Sequence, residues 1–217
     1  MTEIQSRWQQ LQQRLPAGVN LLAVSKMQPA SAVRELAACG QRDFGESRVQ
    51  EALPKQEALA DLSDLRWHFI GRLQANKVRS VVKAFSWIHS IDSLALAERS
   101  SRIALEEGRR PSVLFQVKLR PDPSKGGWDP QSLREAWPEL SQLPGLNVSG
   151  LMTMAPLGLD LHERQTLFRD CRNLVDELDL TQCSMGMSGD WPEAAAAGAT
   201  WVRVGSALFG VRPASPT

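Results

Sequence analysis

Several residue types that carry chemistry are scarce in this chain of 217 residues, which has no tyrosine, three cysteines and three histidines. Cys39, Cys171 and Cys183 are far apart and lack CxxC spacing, so we expect neither a disulfide framework nor a metal site. No apolar run approaches the roughly 20 residues of a membrane span. Residues 1–15 are rich in glutamine and contain no basic segment followed by an apolar stretch. We therefore expect no secretory signal and a cytoplasmic protein.

The charges are almost balanced, with 25 basic and 24 acidic residues and a formal net charge of +1. No basic block stands out, which argues against nucleic acid or an anionic membrane as a partner. Apolar residues make up 42% of the chain, which is enough for a packed core. This length suits one barrel better than two α/β domains. We expect residues 1–217 to form a single domain, ordered from about 3 to 211, with a short C-terminal tail.

Eight short apolar runs have the length and composition of β-strands. They cover residues 21–24, 43–45, 67–70, 87–89, 113–119, 148–152, 183–185 and 201–204. Helical patterns separate them, and the clearest cover 30–38, 93–107, 167–178 and 193–197. An amphipathic helix over residues 4–15 precedes the first strand. Strands that alternate with helices favour a parallel sheet. The sequence therefore predicts an α/β fold, a closed (β/α)8 barrel of the TIM type with an extra N-terminal helix; an open doubly wound sheet is the alternative.

Two loops of small residues follow the last two predicted strands. The first is SMGMSGD (184–190) and the second begins RVGSALFG (203–210). In (β/α)8 barrels the loops after strands seven and eight frequently bind phosphate, and glycine lets backbone N–H groups approach an anion closely. Ser188, Gly205 and Ser206 are therefore candidate phosphate ligands. Either loop alone would be typical of a serine N-cap on an ordinary helix.

Lys26 directly follows the first predicted strand, and Arg203 lies near the end of the eighth. Closure of the barrel would bring both residues beside the two loops. Burial and nearby cations favour the neutral form of a lysine, and a neutral amine attacks aldehydes. The residues therefore predict a site for a phosphorylated carbonyl ligand without selecting one such ligand. The alternative is a solvated lysine at the rim.

Other side chains near strand ends are further candidates for the mouth of the barrel. They are Glu46, Ser47, His68, His89 and Met185. A lone histidine on a strand is more often a hydrogen-bonded packing residue, and we expect this of His68 and His89. Lys125, in the SKGG loop after the fifth strand, is typical of a solvated loop residue, although closure of that loop would bring it to a ligand.

Eight segments carry a resemblance to a known family, in that family's order and from residue 21 to residue 210. They are LLAVSKMQP, DFGESRVQE, WHFIGRLQANK, HSID, SKGG, GLMTM, SMGMS and WVRVGSALFG. Together they resemble the pyridoxal phosphate homeostasis protein family, whose barrel is related to the N-terminal domain of alanine racemase (fold type III of the proteins that bind pyridoxal 5′-phosphate, PLP). As a set the segments are highly specific, whereas each alone would be weak.

The resemblance implies roles for the candidate residues. Lys26 would form a Schiff base with PLP, Ser188, Gly205 and Ser206 would hold the phosphate, and Arg203 would face the pyridine nitrogen. Two positions depart from the family pattern. Ser47 stands where many members have asparagine, which weakens the case for a cofactor contact there. Met27 stands where many have threonine or glycine, and we expect it to be tolerated.

The resemblance further implies a protein of intracellular PLP (vitamin B6) homeostasis without established catalysis. The absence of tyrosine points the same way, because racemisation needs a base on each face of the cofactor and alanine racemase uses a lysine and a tyrosine. An arginine at the pyridine nitrogen also makes PLP a poorer electron sink. We expect a monomer that passes PLP transiently to apoenzymes. The alternatives are a racemase-like enzyme acting on small amino acids and a class I aldolase-like enzyme that uses Lys26.

Overall fold

Eight parallel strands close into a barrel in the computed structural model, which describes residues 1–210. The strands are β1 (Asn20–Val24), β2 (Asp43–Glu46), β3 (Arg66–Phe69), β4 (Trp87–Ile91), β5 (Ser112–Gln116), β6 (Asn147–Met152), β7 (Gln182–Ser184) and β8 (Trp201–Val204). Each strand pairs with its neighbour along the chain, and β8 pairs with β1. The predicted (β/α)8 barrel is thereby confirmed, and the open sheet is wrong. The predicted C-terminal tail lies outside the described residues.

Helices follow the strands around the outside of the barrel. They are α2 (Ala30–Ala38), α3 (Val49–Glu57), α4 (Val78–Ala84), α5 (Leu94–Glu106), α6 (Pro130–Leu140), α7 (Leu161–Glu177), α8 (Trp191–Ala196) and α9 (Ser206–Phe209), with a 3-10 helix (Ala75–Lys77) before α4. The predicted extra helix is α1 (Glu3–Arg14), which packs against α2 and α9. A capping box between Thr2 and Gln5 fixes where it begins. None of the helices within residues 1–210 is long and apolar enough to cross a bilayer.

The fifth strand is shorter than the sequence predicts. It ends at Gln116, whereas the apolar pattern extends to Leu119. The chain turns back after Gln116, and the backbone of Trp128 donates to the Gln116 carbonyl oxygen and accepts from Lys118 N–H. The apolar side chain of Val117 is buried there outside the strand. Periodicity alone therefore could not separate a strand residue from a buried loop residue.

Aromatic rings fill the interior of the barrel near the N-terminal ends of the strands. The ring of His68 stacks on that of Trp87 with centroids 5.4 Å apart, and its centroid is 5.0 Å from that of Trp201. The two indoles are themselves 5.6 Å apart. Large flat rings close this end of the barrel, so the interior is a packed core and a ligand can enter only at the C-terminal ends of the strands.

Candidate functional site

Lys26 lies on a tight turn where β1 ends. The turn is fixed by backbone bonds from Ser25 N–H to the Gly45 carbonyl oxygen, 3.0 Å, and from Gln28 N–H to the Ser25 carbonyl oxygen, 3.0 Å. Met27, at the apex, has a φ of 62°, in the left-handed region that favours glycine. Lys26 is half-buried, and its position at a strand end is the one predicted.

A largely buried ionic cluster, in which Glu51 alone is partly exposed, holds this turn from beneath. We call Ser25, Glu46, Glu51 and Lys55 the turn cluster. Lys55 Nζ, on α3, donates to the Ser25 carbonyl oxygen at 2.8 Å and to Glu46 Oε1 at 2.5 Å. Ser25 Oγ donates to the same Glu46 oxygen at 2.7 Å. The Glu51 carboxylate accepts a bond from Met27 N–H. The backbone on both sides of Lys26 is thus tied to α3.

The turn cluster corrects one expectation and adds residues that the sequence did not single out. Glu46 was a candidate for the mouth, but its side chain faces α3 and pairs with Lys55. Burial raises the pKa of the Glu46 carboxyl, although the bonds from Lys55 and Ser25 act to lower it. Glu51 and Lys55 are four residues apart on a helix, a spacing that usually marks a surface pair. Only their proximity to the end of β2 in the folded chain reveals that they hold the Lys26 turn.

The loops after β7 and β8 meet at Ser188. Its Oγ accepts bonds from the backbone N–H groups of Gly205, 3.2 Å, and Ala207, 3.3 Å. Two neighbouring N–H groups that converge on one oxygen form a concave donor arrangement suited to a phosphate oxygen. Gly205 also packs close to β1, since a Cβ there would lie 3.4 Å from the Val24 carbonyl oxygen. The predicted approach of the two loops is therefore present.

Gly186 shapes the first of these loops. It has a φ of 85°, and a Cβ there would lie 2.6 Å from the Cβ of Ala194 and 2.9 Å from the Cα of Trp191. Asp190 Oδ1 accepts a bond of 2.6 Å from Met187 N–H and closes the turn. A larger residue at 186 would force the loop away from α8, so the turn is specified by sterics.

Strand pairing brings Lys26 to the β8 loop. In the parallel register Leu22 is opposite Arg203 and Ala23 is opposite Val204, so both strands end at the same level. A small cavity opens there. It is lined by Val24, Lys26, Gln28, Gly205, Ser206 and Gly210. The structure thus gathers Lys26, Gly205 and Ser206 around one space, and the predicted adjacency of the first and last strands is confirmed.

Arg203 is buried inside the barrel, with 4% of its surface exposed. Its Nη1 donates to the carbonyl oxygen and the Oγ of Ser184, both at 2.8 Å, and its Nη2 donates to the Thr153 carbonyl oxygen at 2.8 Å. Burial lowers the pKa of the guanidinium to about 10, which still leaves it charged at neutral pH. A charged donor is therefore held in a fixed orientation by neutral groups.

The remaining candidates lie in different surroundings. Ser47 is half-buried just past the end of β2, and Lys125 is exposed on the loop after β5. The Met185 side chain lies in the core outside the barrel, with its Sδ 3.6 Å from Cys183 Sγ, so its side chain does not reach the mouth. His68 and His89 are fully buried inside the barrel and hydrogen-bonded to each other at 3.0 Å, as expected of packing residues.

Comparison with known proteins assigns the class of this barrel. The sequence model of the family described as "Alanine racemase, N-terminal domain" matches residues 1–213. The crystal structure of alanine racemase from Bartonella henselae with covalently bound pyridoxal phosphate superposes with a TM-score of 0.80 and 17% identity, over 96% of this chain and 58% of that one. At this identity the likeness shows the fold alone. The chain is thus a barrel of the alanine racemase N-terminal class.

Two relatives specify the family further. The pyridoxal phosphate homeostasis protein of Synechocystis sp. is 50% identical over 204 residues, which are 91% of this chain and 94% of the relative. The structure of PipY from Synechococcus elongatus PCC7942 with PLP bound has a TM-score of 0.93 and 54% identity, over 96% of this chain and all of that one. The chain belongs to the pyridoxal phosphate homeostasis protein family.

Proposed function

We propose that this protein binds PLP at the mouth of the barrel through a Schiff base on Lys26, and that it stores and delivers the cofactor in intracellular vitamin B6 homeostasis. The name of the Synechocystis relative and the PLP-bound structure of PipY support this proposal. One observation carries it. The pairing of β1 with β8 places Lys26 beside Gly205 and Ser206 around one cavity at the open end of the barrel.

The residues of the site fit the parts of PLP. When bound, PLP supplies an aldehyde that condenses with a primary amine, and Lys26 offers one at the mouth. The N–H groups that converge at Ser188, with Gly205 and Ser206, would hold the phosphate. Arg203 would face the pyridine nitrogen, to which a guanidinium can only donate. The weaker candidates Ser47 and His89 have no direct role in this proposal.

Two properties of the chain support a carrier over an enzyme. Arg203 remains protonated at neutral pH even after burial lowers its pKa to about 10, so the pyridine nitrogen beside it would stay an acceptor and the ring a poor electron sink. In addition, no tyrosine is present in the 217 residues to serve as a second base. The relatives are named homeostasis proteins, which fits a non-catalytic role.

Absorbance and mass spectrometry test the binding mode. We expect the protein saturated with PLP to show a near-visible band that borohydride bleaches, and peptide mapping to place the reduced adduct on Lys26. Lys26→Ala should abolish the adduct, whereas the matched control Lys125→Ala should keep it. A protein that stays colourless, as an aldolase-like enzyme would, or an adduct on Lys125, would overturn the proposal.

Isotope exchange tests the carrier role. We expect no exchange of the Cα proton of offered amino acids in deuterated water, and we expect the loaded protein to activate PLP-dependent apoenzymes. Rapid exchange that depends on Lys26 would favour the racemase-like alternative. The proposal also takes the protein to be a cytoplasmic monomer, so sedimentation of the loaded protein should give a single species of the mass of one chain, 24.0 kDa.

A further inference from the structure

A continuous chain of hydrogen bonds runs through the barrel from its closed end toward Arg203. Asp43 Oδ1 and His68 Nε2 are 3.0 Å apart, and His68 Nδ1 and His89 Nε2 are 3.0 Å apart. His89 Nδ1 is 3.1 Å from Ser184 Oγ, which in turn accepts from Arg203 Nη1 at 2.8 Å. We call Asp43, His68, His89 and Ser184 the barrel-axis chain. These four residues come from β2, β3, β4 and β7.

Each proton of this chain can be assigned from its two ends. The Asp43 carboxylate accepts two bonds of 2.6 Å from Arg66, so it remains an acceptor and His68 must carry its proton on Nε2. His68 Nδ1 is then an acceptor, and His89 Nε2 must donate to it. His89 Nδ1 is in turn an acceptor, so Ser184 donates its only proton there. The lone pairs of Ser184 Oγ are therefore left to accept from Arg203.

The surroundings favour this arrangement of protons. Burial lowers the pKa of His68 despite the opposing bond to Asp43, and burial together with His68 and Arg203 lowers that of His89 well below 6.5. Although burial alone would raise it, the bonds from Arg66 and His68 bring the pKa of Asp43 below its usual value. The assignment of donors and acceptors requires two neutral imidazoles and one carboxylate, and these are the protonation states that the pKa shifts favour.

We infer that the barrel-axis chain positions Arg203, with His89 and Ser184 as positioning residues that hold its guanidinium in one orientation toward the ligand. The inference rests on the proposed role of Arg203 at the pyridine nitrogen. Three of the five N–H donors of Arg203 bond to Ser184 and Thr153. Because Ser184 Oγ donates its proton to His89, only its lone pairs are left to face Nη1 of Arg203. The hydroxyl cannot turn its proton toward Arg203 without losing the bond to His89.

A serine pair provides a matched test. Ser184→Ala removes the link between His89 and Arg203, whereas Ser90→Ala removes a hydroxyl of the same size that is 2% exposed on β4 and has no hydrogen-bond partner among the described residues. We expect Ser184→Ala to release PLP about tenfold faster, as the loss of one bond to a charged group predicts. We also expect it to shift the pH profile of the near-visible band, and Ser90→Ala to match the wild type in both. Equal behaviour of the two variants would overturn the inference.

Nitrogen NMR of the histidines tests the same inference without PLP. The wild-type protein should show both buried imidazoles as neutral Nε2–H tautomers, with His162, exposed on α7, as the reference signal. Ser184→Ala should move the His89 Nδ1 signal and leave His162 in place. A His89 that carries its proton on Nδ1, or both protons, would overturn the inference. A wild-type protein that forms no PLP band would defeat the proposed function alone, because the tautomers are measured independently.

Discussion

Two basic side chains approach the mouth of the barrel, and the protein supports them in opposite ways. Beneath Lys26 lies the turn cluster, in which Lys55, paired with the buried Glu46, and the partly exposed Glu51 hold backbone atoms on either side of the lysine. Around Arg203 the direct partners are a hydroxyl and two carbonyl oxygens. Neutral partners fix a guanidinium without cancelling its charge. Ion pairs therefore shape the backbone around Lys26, while neutral dipoles hold the Arg203 charge, which we propose meets the ligand.

Breaking the turn cluster should have the largest effect. Lys55→Ala leaves Glu46 buried without its cation, and removal of one partner of a buried pair typically costs about 3–5 kcal/mol. We expect the free energy of unfolding, measured by urea denaturation, to fall by about 3 kcal/mol. The control Lys83→Ala removes an exposed lysine that is 3.5 Å from Glu107, and we expect little change. A Lys55→Ala protein as stable as the control would show that the cluster does not hold the fold.

Removing the buried guanidinium should weaken binding, and it should also lower stability because buried acceptors of Ser184 and Thr153 lose their bonds from Arg203. Arg203→Ala loses a charged donor, so we expect PLP retention to fall by roughly 10- to 100-fold, the equivalent of 1.5–3 kcal/mol. Lys125→Ala, which removes an exposed lysine from the β5 loop, should change retention far less. Dissociation followed by transfer of PLP to an excess of acceptor amine measures both. Equal retention in the two variants would remove Arg203 from the site.

Lowering the pH should destabilise the neutral interior around Arg203. His68 and His89 have depressed pKa values in the folded protein, so below about 6.5 the unfolded chain binds protons that the folded one does not. Stability should therefore fall as the pH drops from about 6.5, with a slope approaching 1.4 kcal/mol per pH unit for each neutral imidazole. Urea titrations at several pH values measure this slope. It should shrink in His89→Gln and persist in His162→Gln; an unchanged slope in His89→Gln would mean that His89 is not held neutral.

The apex of the Lys26 turn should give the smallest effect. Met27 has a positive φ, which costs a non-glycine residue about 1–2 kcal/mol, but glycine also gains freedom in the unfolded chain. Met27→Gly should thus be neutral or stabilising by up to about 1 kcal/mol, whereas the β-branched Met27→Val should be destabilising. Thermal unfolding of both variants checks the difference. If valine were tolerated as well as glycine, the turn would not be strained.

The sequence predicts the barrel because the alternation of strands and helices can be recognised locally. It also predicts that the first and last strands are neighbours, because closure of a barrel requires them to pair. It further predicts the loops at Ser188 and Gly205, because glycine and serine directly after a strand are typical of tight turns. The positions of the residues predict Lys26 as a reactive amine beside Arg203 and the two loops, whereas the Schiff base with PLP and the contact with the pyridine nitrogen come from family resemblance. These roles stay proposals.

Contacts that depend on the relative level of distant strands could not be predicted. His89 on β4 and Ser184 on β7 meet across the barrel only because of the stagger between strands, which no single segment encodes. Likewise, Glu51 and Lys55 have the spacing of an ordinary surface pair, and the burial of Lys55 becomes evident only when α3 packs against β2. Met185 was misjudged for a related reason. Its side chain points out of the barrel into the core between strands and helices. A shift of one residue along a strand decides whether a side chain faces the inside or the outside of the barrel.

Pairing of β1 with β8 also has a consequence for folding. Lys26 follows β1, whereas Gly205 and Ser206, which line the same cavity, follow β8, and six strands separate them in the sequence. The cavity between them therefore forms only when β8 pairs with β1, and a partly folded chain without that pairing lacks it. A ligand held by residues from both ends of the strand order would therefore bind to the closed barrel.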